Sequence, residues 1–202
     1  MPEIDSVEAL RSLYRQPSER AVRKQLDHLD AHCRHFIGLA PFLVVASADA
    51  DGRVDASPRG GEPGFVKILD ERTVLIPDSP GNNRLDSLQN LIGQPGVGLL
   101  FMIPGVDETL RINGKATLRT DEALVELCAN ERRRPPLVIA VEVKEAYLHC
   151  AKALMRSKLW DSGAKQDRSV LPSMGQMLKD QIGLAGEPES NEAMRARYLA
   201  DL

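Results

Sequence analysis

Two short stretches concentrate side chains that grip anions. The first, ASPRGGEPGFVKIL, carries Ser57, Arg59 and Lys67 around a glycine-rich turn. The second, DSPGNNRLDSL (78–88), places Asn82, Asn83 and Arg84 directly after a glycine and just before a short amphipathic run. Amide, hydroxyl and guanidinium donors at a helix start suit a phosphate, because the first N–H groups and the helix dipole favour negative charge there. Charge-assisted hydrogen bonds add to this, at about twice the strength of neutral ones. Taken singly, each of these cations would be an ordinary solvated surface charge. Glycines beside both stretches let the backbone approach a ligand closely, and that favours a binding site.

Two other clusters carry chemistry-capable groups. His28, His32 and His35 fall at i, i+4 and i+7, a spacing that includes a zinc-type histidine pair. Leu29, Asp30 and Ala31 follow His28, so the H-E-x-x-H pattern is absent and a solvated polar helix face is expected, with no metal. The stretch HCAKALMRSKLW (149–160) sets Lys152, Arg156 and Lys158 near Cys150 and Trp160, the sole tryptophan. That indole suits either packing over an aromatic ligand or a dimer contact. No G-x-S-x-G, Walker or Rossmann pattern occurs, so hydrolase and nucleotide-loop chemistry has no support.

The elements that must position these groups are framed by the bulk composition. The 202 residues, 43% hydrophobic and 27% charged, suffice for one generous domain with helical extensions. A net charge of -3 argues against a nucleic-acid binder that relies on a basic face. No apolar run approaches the roughly 20 residues of a membrane span. The acidic start MPEIDSVEAL lacks the layout of a signal peptide, so a cytoplasmic location is expected. Cys33, Cys128 and Cys150 are odd in number and widely spaced, which predicts buried free thiols, neither disulfides nor a zinc site.

Along the chain, residues 5–39 read as helical. Asp5 or Ser6 is the candidate cap, and Val22, Leu26, Leu29, Cys33 and Phe36 form one stripe. Strands are predicted at 42–48, 53–57, 64–69, 73–77 and 97–104, with SPRGGEPG (57–64) as an internal loop. A long strand at 108–120 contains Asn113-Gly114, read as a bulge because alternation holds on both sides. A helix over 121–131, capped by Thr120 or Asp121, and a strand over 136–150 follow. Helices close the sequence in CAKALMRSKLW, LPSMGQMLKDQIG and NEAMRARYLADL. The expected class is mainly β with flanking helices: six or seven antiparallel strands in a closed barrel rather than a βαβ sheet. One domain is expected over 1–202, with N-terminal helices to 40, the barrel over 41–150 and C-terminal helices over 151–202.

The order of these segments, SPRG, GFVKILDE, LIPD, GNNRLDSLQNL, VGLLFMIPG and ETLRINGKA, resembles the pyridoxamine 5'-phosphate oxidase-like, FMN-binding split-barrel family. The likeness is to a bacterial subgroup distinct from the true pyridoxamine phosphate oxidases. It is strong from Phe42 to Thr120 and extends into HCAKALMRSKLW. The resemblance implies a split β-barrel, with FMN bound at the interface of a homodimer. Arg59 and Lys67 fall at the positions of the family's strand Arg and Lys. Asn82, Asn83 and Arg84 match the phosphate loop, and Thr109 stands where the oxidases carry a glutamine that approaches the flavin ring. Lys152 and Trp160 are carried as further cofactor contacts. The ending MRARYLADL lacks the Arg-rich, aliphatic-Ala/Ser-Pro finish of the true oxidases, so pyridoxamine phosphate is not the expected substrate. The expected function is an FMN-dependent oxidoreductase acting on an unidentified small molecule. The alternatives are an F420-dependent reductase on the same fold and a non-catalytic flavin- or haem-binding module, with His149 or the 28/32/35 set as haem ligand.

Overall fold

The computed structural model describes residues 3–199. The chain divides into two compact units, a larger one ending at Arg156 and a smaller one beginning at Ser157.

Among the described residues, the larger unit carries one seven-stranded antiparallel sheet. Its strands are β1 (Phe42–Ala48), β2 (Val54–Gly60), β3 (Lys67–Ile68), β4 (Thr73–Pro77), β5 (Gly96–Met102), β6 (Thr109–Arg119) and β7 (Val138–His149). The order across the sheet is β2-β1-β5-β6-β7-β4-β3. Alternation sorts the inner face: Leu43 and Val45 of β1, Leu99 and Phe101 of β5, and Leu110 and Ile112 of β6 are fully buried. The predicted bulge is present, as a register shift at Asn113/Gly114. A Cβ on Gly114 would stand 2.1 Å from the Glu142 carbonyl oxygen, so the close approach of the two strands requires glycine.

The sheet is not closed by hydrogen bonds. β2 and β3 are its edges, yet Arg59 on β2 bonds Asp78, the residue after β4, at 2.9 Å. Strands from opposite ends of the order meet there through side chains, so the sheet is rolled into a barrel with a seam. The expectation of full closure is corrected on this point, because β3 is only two residues long and leaves the side of β4 away from β7 unpaired beyond Leu75. The strand predicted over 64–69 shrinks to Lys67–Ile68. Conversely, Ser57 to Gly60 belong to β2 and not to the loop, since Gly60 to Ser57 pair with Phe42 to Val45. Pro58 is tolerated because β2 is an edge strand.

The helical reading over 5–39 resolves into helices α1 (Val7–Ser12), α2 (Glu19–Arg23) and α3 (Ala31–Leu39), so the single stripe expected from Val22 to Phe36 is split between α2 and α3. Leu26 exchanges both backbone hydrogen bonds with Ala146 of β7, which takes residues 24–30 out of helical geometry. Asp30 then caps α3 by accepting the Cys33 N–H at 2.8 Å. Cys33, Phe36 and Ile37 of α3 enter the core, as do Leu88 and Leu91 of α4 (Asp86–Gly93). α5 (Glu122–Cys128), shorter than expected, covers a second cluster with Val125 and Cys128 against Leu75 and Val138. α6 (Lys152–Ser157) follows β7.

The smaller unit holds 3-10 turns at Ser162–Ala164 and Arg168–Val170, then α7 (Met174–Ile182) and α8 (Asn191–Leu199). Ser173 caps α7, and Gly183 ends it in the left-handed conformation. Arg197 pairs with Glu189 at 2.8 Å. The last three residues of the helix expected over NEAMRARYLADL lie outside the described residues. No helix among the described residues is long and apolar enough to cross a membrane.

Candidate functional site

The seam gathers most of the predicted phosphate-binding groups. Asp55, Ser57 and Arg59 alternate onto one side of β2, half-buried, opposite Ser47, Val45 and Leu43 of β1. The segment from Asp78 to Ser87 runs beside this strand and is tied to it at both ends. Arg59 Nη1 donates to Asp78 Oδ1 at 2.9 Å, and Ser87 Oγ donates to Asp55 Oδ2. Ser57 lies between the two ties, and Asn82, Asn83 and Arg84 lie between them on the facing loop.

Loop conformation explains why this sequence is needed. Asn82 Oδ1 accepts the Arg84 N–H at 3.0 Å, an Asx turn. Asn83 and Leu85 both adopt positive φ, 59° and 60°, a conformation that Asn tolerates and that costs Leu about 1–2 kcal/mol. Leu85 is the cap residue of α4 and provides no side-chain hydrogen bond, so the first amides of that helix are left for other acceptors. Arg84 pairs with Asp86 at 2.8 Å and is exposed. The hydrogen bond and charge of Asp86 raise its pKa further.

Arg59 is the best-shielded cation of the seam. Its side chain is 15% exposed and that of Asp78 is 16%. Its Nε is buried with no hydrogen-bond partner in the structure. A buried guanidinium donor left unpaired is costly, and an acceptor such as a phosphate oxygen beside it would satisfy it. The residues present therefore fit a phosphate group.

Lys67 takes a different position. Its Nζ donates to the Gly64 carbonyl at 3.0 Å, and it lines a cavity of about 210 Å³ with the 60–64 loop, Ser79, Cys128 and Arg133. Asn82, Asn83 and Arg84 do not line that cavity. Arg133 Nη2 donates to Ser79 Oγ at 2.7 Å. Burial pushes the Cys128 thiol pKa up, and the nearby Lys67 charge partly offsets this. The sequence reading missed Ser79, Asn130 and Arg133. Ser79 lies in the DSPGNNRLDSL stretch already singled out, and the one local signal for Asn130 and Arg133 was the Asn-Glu-Arg-Arg-Arg-Pro-Pro run after α5.

The remaining predicted residues are scattered. Thr109 opens β6, half-buried, opposite His149 in register. Lys152 is exposed at the start of α6. Trp160 belongs to the smaller unit and is half-buried. His28 precedes α3 and bonds Asp27 at 2.9 Å, whereas His32 and His35 are exposed on α3. The three histidines therefore share no helix face. Among the described residues no three His, Cys, Asp or Glu side chains converge on a metal position. Cys33 and Cys128 are buried as expected, but Cys150 is exposed, because it follows the end of β7 and enters no core.

A second basic group surrounds Tyr147. Arg111 Nη1 donates to its hydroxyl at 3.0 Å, Lys24 Nζ stands 5.0 Å from its ring centre, and the His149 ring lies 4.9 Å away. Burial, then the Arg111 and Lys24 charges, lowers the His149 pKa. Its Nε2 is buried without a partner.

No curated protein matches the chain by sequence. Among solved structures, HupZ of Group A Streptococcus is similar at 18% identity, over 59% of this chain and 92% of that one, with a TM-score of 0.48. An FMN-binding protein of Syntrophomonas wolfei is similar at 7% identity, over 71% and 97%, with a TM-score of 0.45. The haem storage protein HutZ of Vibrio cholerae is similar at 14% identity, over 60% and 93%, with a TM-score of 0.40. The sequence profile described as pyridoxamine 5'-phosphate oxidase matches residues 29–150, a span that runs from the buried Leu29 to the end of β7 and contains the whole sheet and seam. Matched over more than half of its length, the chain belongs to the pyridoxamine 5'-phosphate oxidase family.

Proposed function

We propose that this protein is an FMN-dependent oxidoreductase that works as a homodimer on a small anionic molecule. The observation that carries the reading is the buried, unpartnered Nε of Arg59 at the barrel seam. Ser57 and the Asn82–Arg84 loop would complete a phosphate cradle around it, with the uncapped first turn of α4 adding backbone donors. Asp78 holds the guanidinium in place until the phosphate shares it. FMN would supply two-electron redox chemistry, and the chain's own residues would bind, orient and exclude water. Thr109 stands at the same end of the sheet as Arg59, since Gly60, Phe42 and Met102 form one register row that continues beside it. The cavity carrying Lys67 and Arg133 adjoins the seam through Gly60 and Ser79. It suits the anionic end of a substrate, because two cations face a space large enough for an oxyanion. Family membership supports the cofactor, and the exposed Val54, Ala56 and Pro58 on the outer face of β2 support the pairing of two copies.

The test is purification followed by absorbance, then titration of stripped protein with FMN, riboflavin and F420. A flavin band near 450 nm, and FMN binding tighter than riboflavin, is expected. Protein that takes up none of the three, or prefers F420, refutes the reading. A cofactor-binding module without turnover is favoured by one observation, the buried and unpartnered Nε2 of His149. A Soret band on haem addition that His149→Ala abolishes would establish it.

A further inference from the structure

Every residue from Glu3 to Gln25 is exposed, and neither α1 nor α2 buries a single side chain. The two helices have six and five residues, whereas isolated helices below about 12–15 residues are marginal in water. Both are nonetheless well capped: Ser6 accepts the Ala9 N–H and Ser18 the Ala21 N–H. Capping alone contributes about 1 kcal/mol per helix, too little to hold such short segments. Ile4, Val7, Leu10 and Tyr14 are spaced three or four apart and 54%, 67%, 43% and 66% exposed, a stripe of the kind that packs against something. Among the described residues, the bonds that fasten the arm to the barrel lie at its root. There Lys24 bonds the Leu148 carbonyl at 2.8 Å and Leu26 pairs with Ala146.

The same chain leaves a matching surface bare. Val54, Ala56 and Pro58 are exposed on the outer face of β2, and Val44, Leu100 and Met102 are half-buried on the outer faces of β1 and β5. The register continues this face to Arg111, opposite Leu100, and to Tyr147, opposite Arg111. Among the described residues no ion pair joins Arg111 or Lys24 to a carboxylate, and none joins Glu3, Asp5 or Glu8 of the arm to a cation. An apolar strip ending in cations that have no ion pair and an apolar arm beginning with carboxylates that have none are complementary.

We infer that the arm, residues 3–23, lies across the outer β2-β1-β5 face of a second copy of this chain, with its acidic start over Arg111 and Lys24. In a two-fold pair each copy gives an arm and receives one. An arm of this length is on the scale of the roughly 20–30 residues that each side of a stable interface engages. The arm adds to the pairing of copies proposed above and does not require the flavin.

The test uses the full chain with Cys150→Ser. Leu10→Cys with Ala56→Cys, under mild oxidation, is expected to give a covalent dimer that reductant reverses. Mixing with a longer tagged chain should give the hybrid band. Leu10→Cys with Leu127→Cys, on α5, should give none. A crosslink inside one chain, or no crosslink at all, overturns the inference. Arg111→Glu is expected to raise the dimer dissociation constant about tenfold, and Glu8→Arg to restore it in the double variant. A constant that neither change moves is equally fatal. A dimer that forms without the crosslink removes the arm alone, and a crosslinked dimer that binds no flavin removes the cofactor reading alone.

Discussion

Arg59→Ala separates a phosphate site from a structural ion pair. Breaking a fully buried pair costs about 3–5 kcal/mol, and an exposed pair is worth about 0–1. With Arg59 and Asp78 at 15% and 16% exposure, the loss of folding stability should fall between these limits, at about 2 kcal/mol. Loss of the charge-assisted bonds to a phosphate should cost a further 1.5–3 kcal/mol of binding, or about 10- to 150-fold in Kd. Asp78→Asn breaks the same pair but keeps the guanidinium. It should lower stability similarly while tightening FMN binding, because the competing carboxylate is gone. Urea unfolding gives the first quantity, and fluorescence titration with FMN and with riboflavin, which lacks the phosphate, gives the second. Arg59→Ala should weaken FMN binding and leave riboflavin binding unchanged. Equal losses for both ligands, or no loss for FMN, would refute the assignment of the seam.

Gly114→Ala should destabilise the barrel by about 3 kcal/mol or more, as over-packing against backbone does, read as a lower urea midpoint. Its predicted Cβ position, 2.1 Å from the Glu142 carbonyl oxygen, leaves the neighbour no side chain to move. Thiol titration of the native protein at pH 8 should count one reactive cysteine, Cys150, and three after denaturation. Burial pushes the Cys33 thiol up to about 12 and raises Cys128 as well, so both stay protonated. The Asp27 carboxyl is held down to about 2 by its hydrogen bonds from His28 and Arg72. A pKa depressed on folding means stability present above pH 3.8 and lost as the pH falls towards 2. Asp27→Asn should flatten acid unfolding in that window, and an unchanged profile would count against the pairing.

The strands were legible because alternation and turn residues act locally. β4 matches its predicted 73–77 span, and the bulge at Gly114 was readable from apolar periodicity that continues past it. What escaped was set at long range. Residues 24–30 carry a helical pattern, but Leu26 forms its backbone bonds with a strand about 120 positions away, which outweighs local propensity. Ser57 to Gly60 carry turn chemistry, yet an adjacent strand captures them. The candidate anion-binding groups could be read by type, and Ser57, Arg59 and the Asn82–Arg84 loop lie along the seam, whereas Lys67, expected beside them, lines the neighbouring cavity. Arg133 and Ser79 could not, because their meeting depends on how β4 and the segment after α5 come together.

The seam has a consequence for how the proposed ligand would enter. Elsewhere the barrel wall is laced by backbone ladders, and admitting a guest would mean tearing several bonds at once. At the join between β2 and the segment after β4, the described ties are side chains, chiefly Arg59 with Asp78 and Ser87 with Asp55. The proposed phosphate ligand would part these one by one while the ladders stay whole. Loading at the seam would then need no unfolding, and evolution could retune what enters by changing a handful of side chains without disturbing the staves.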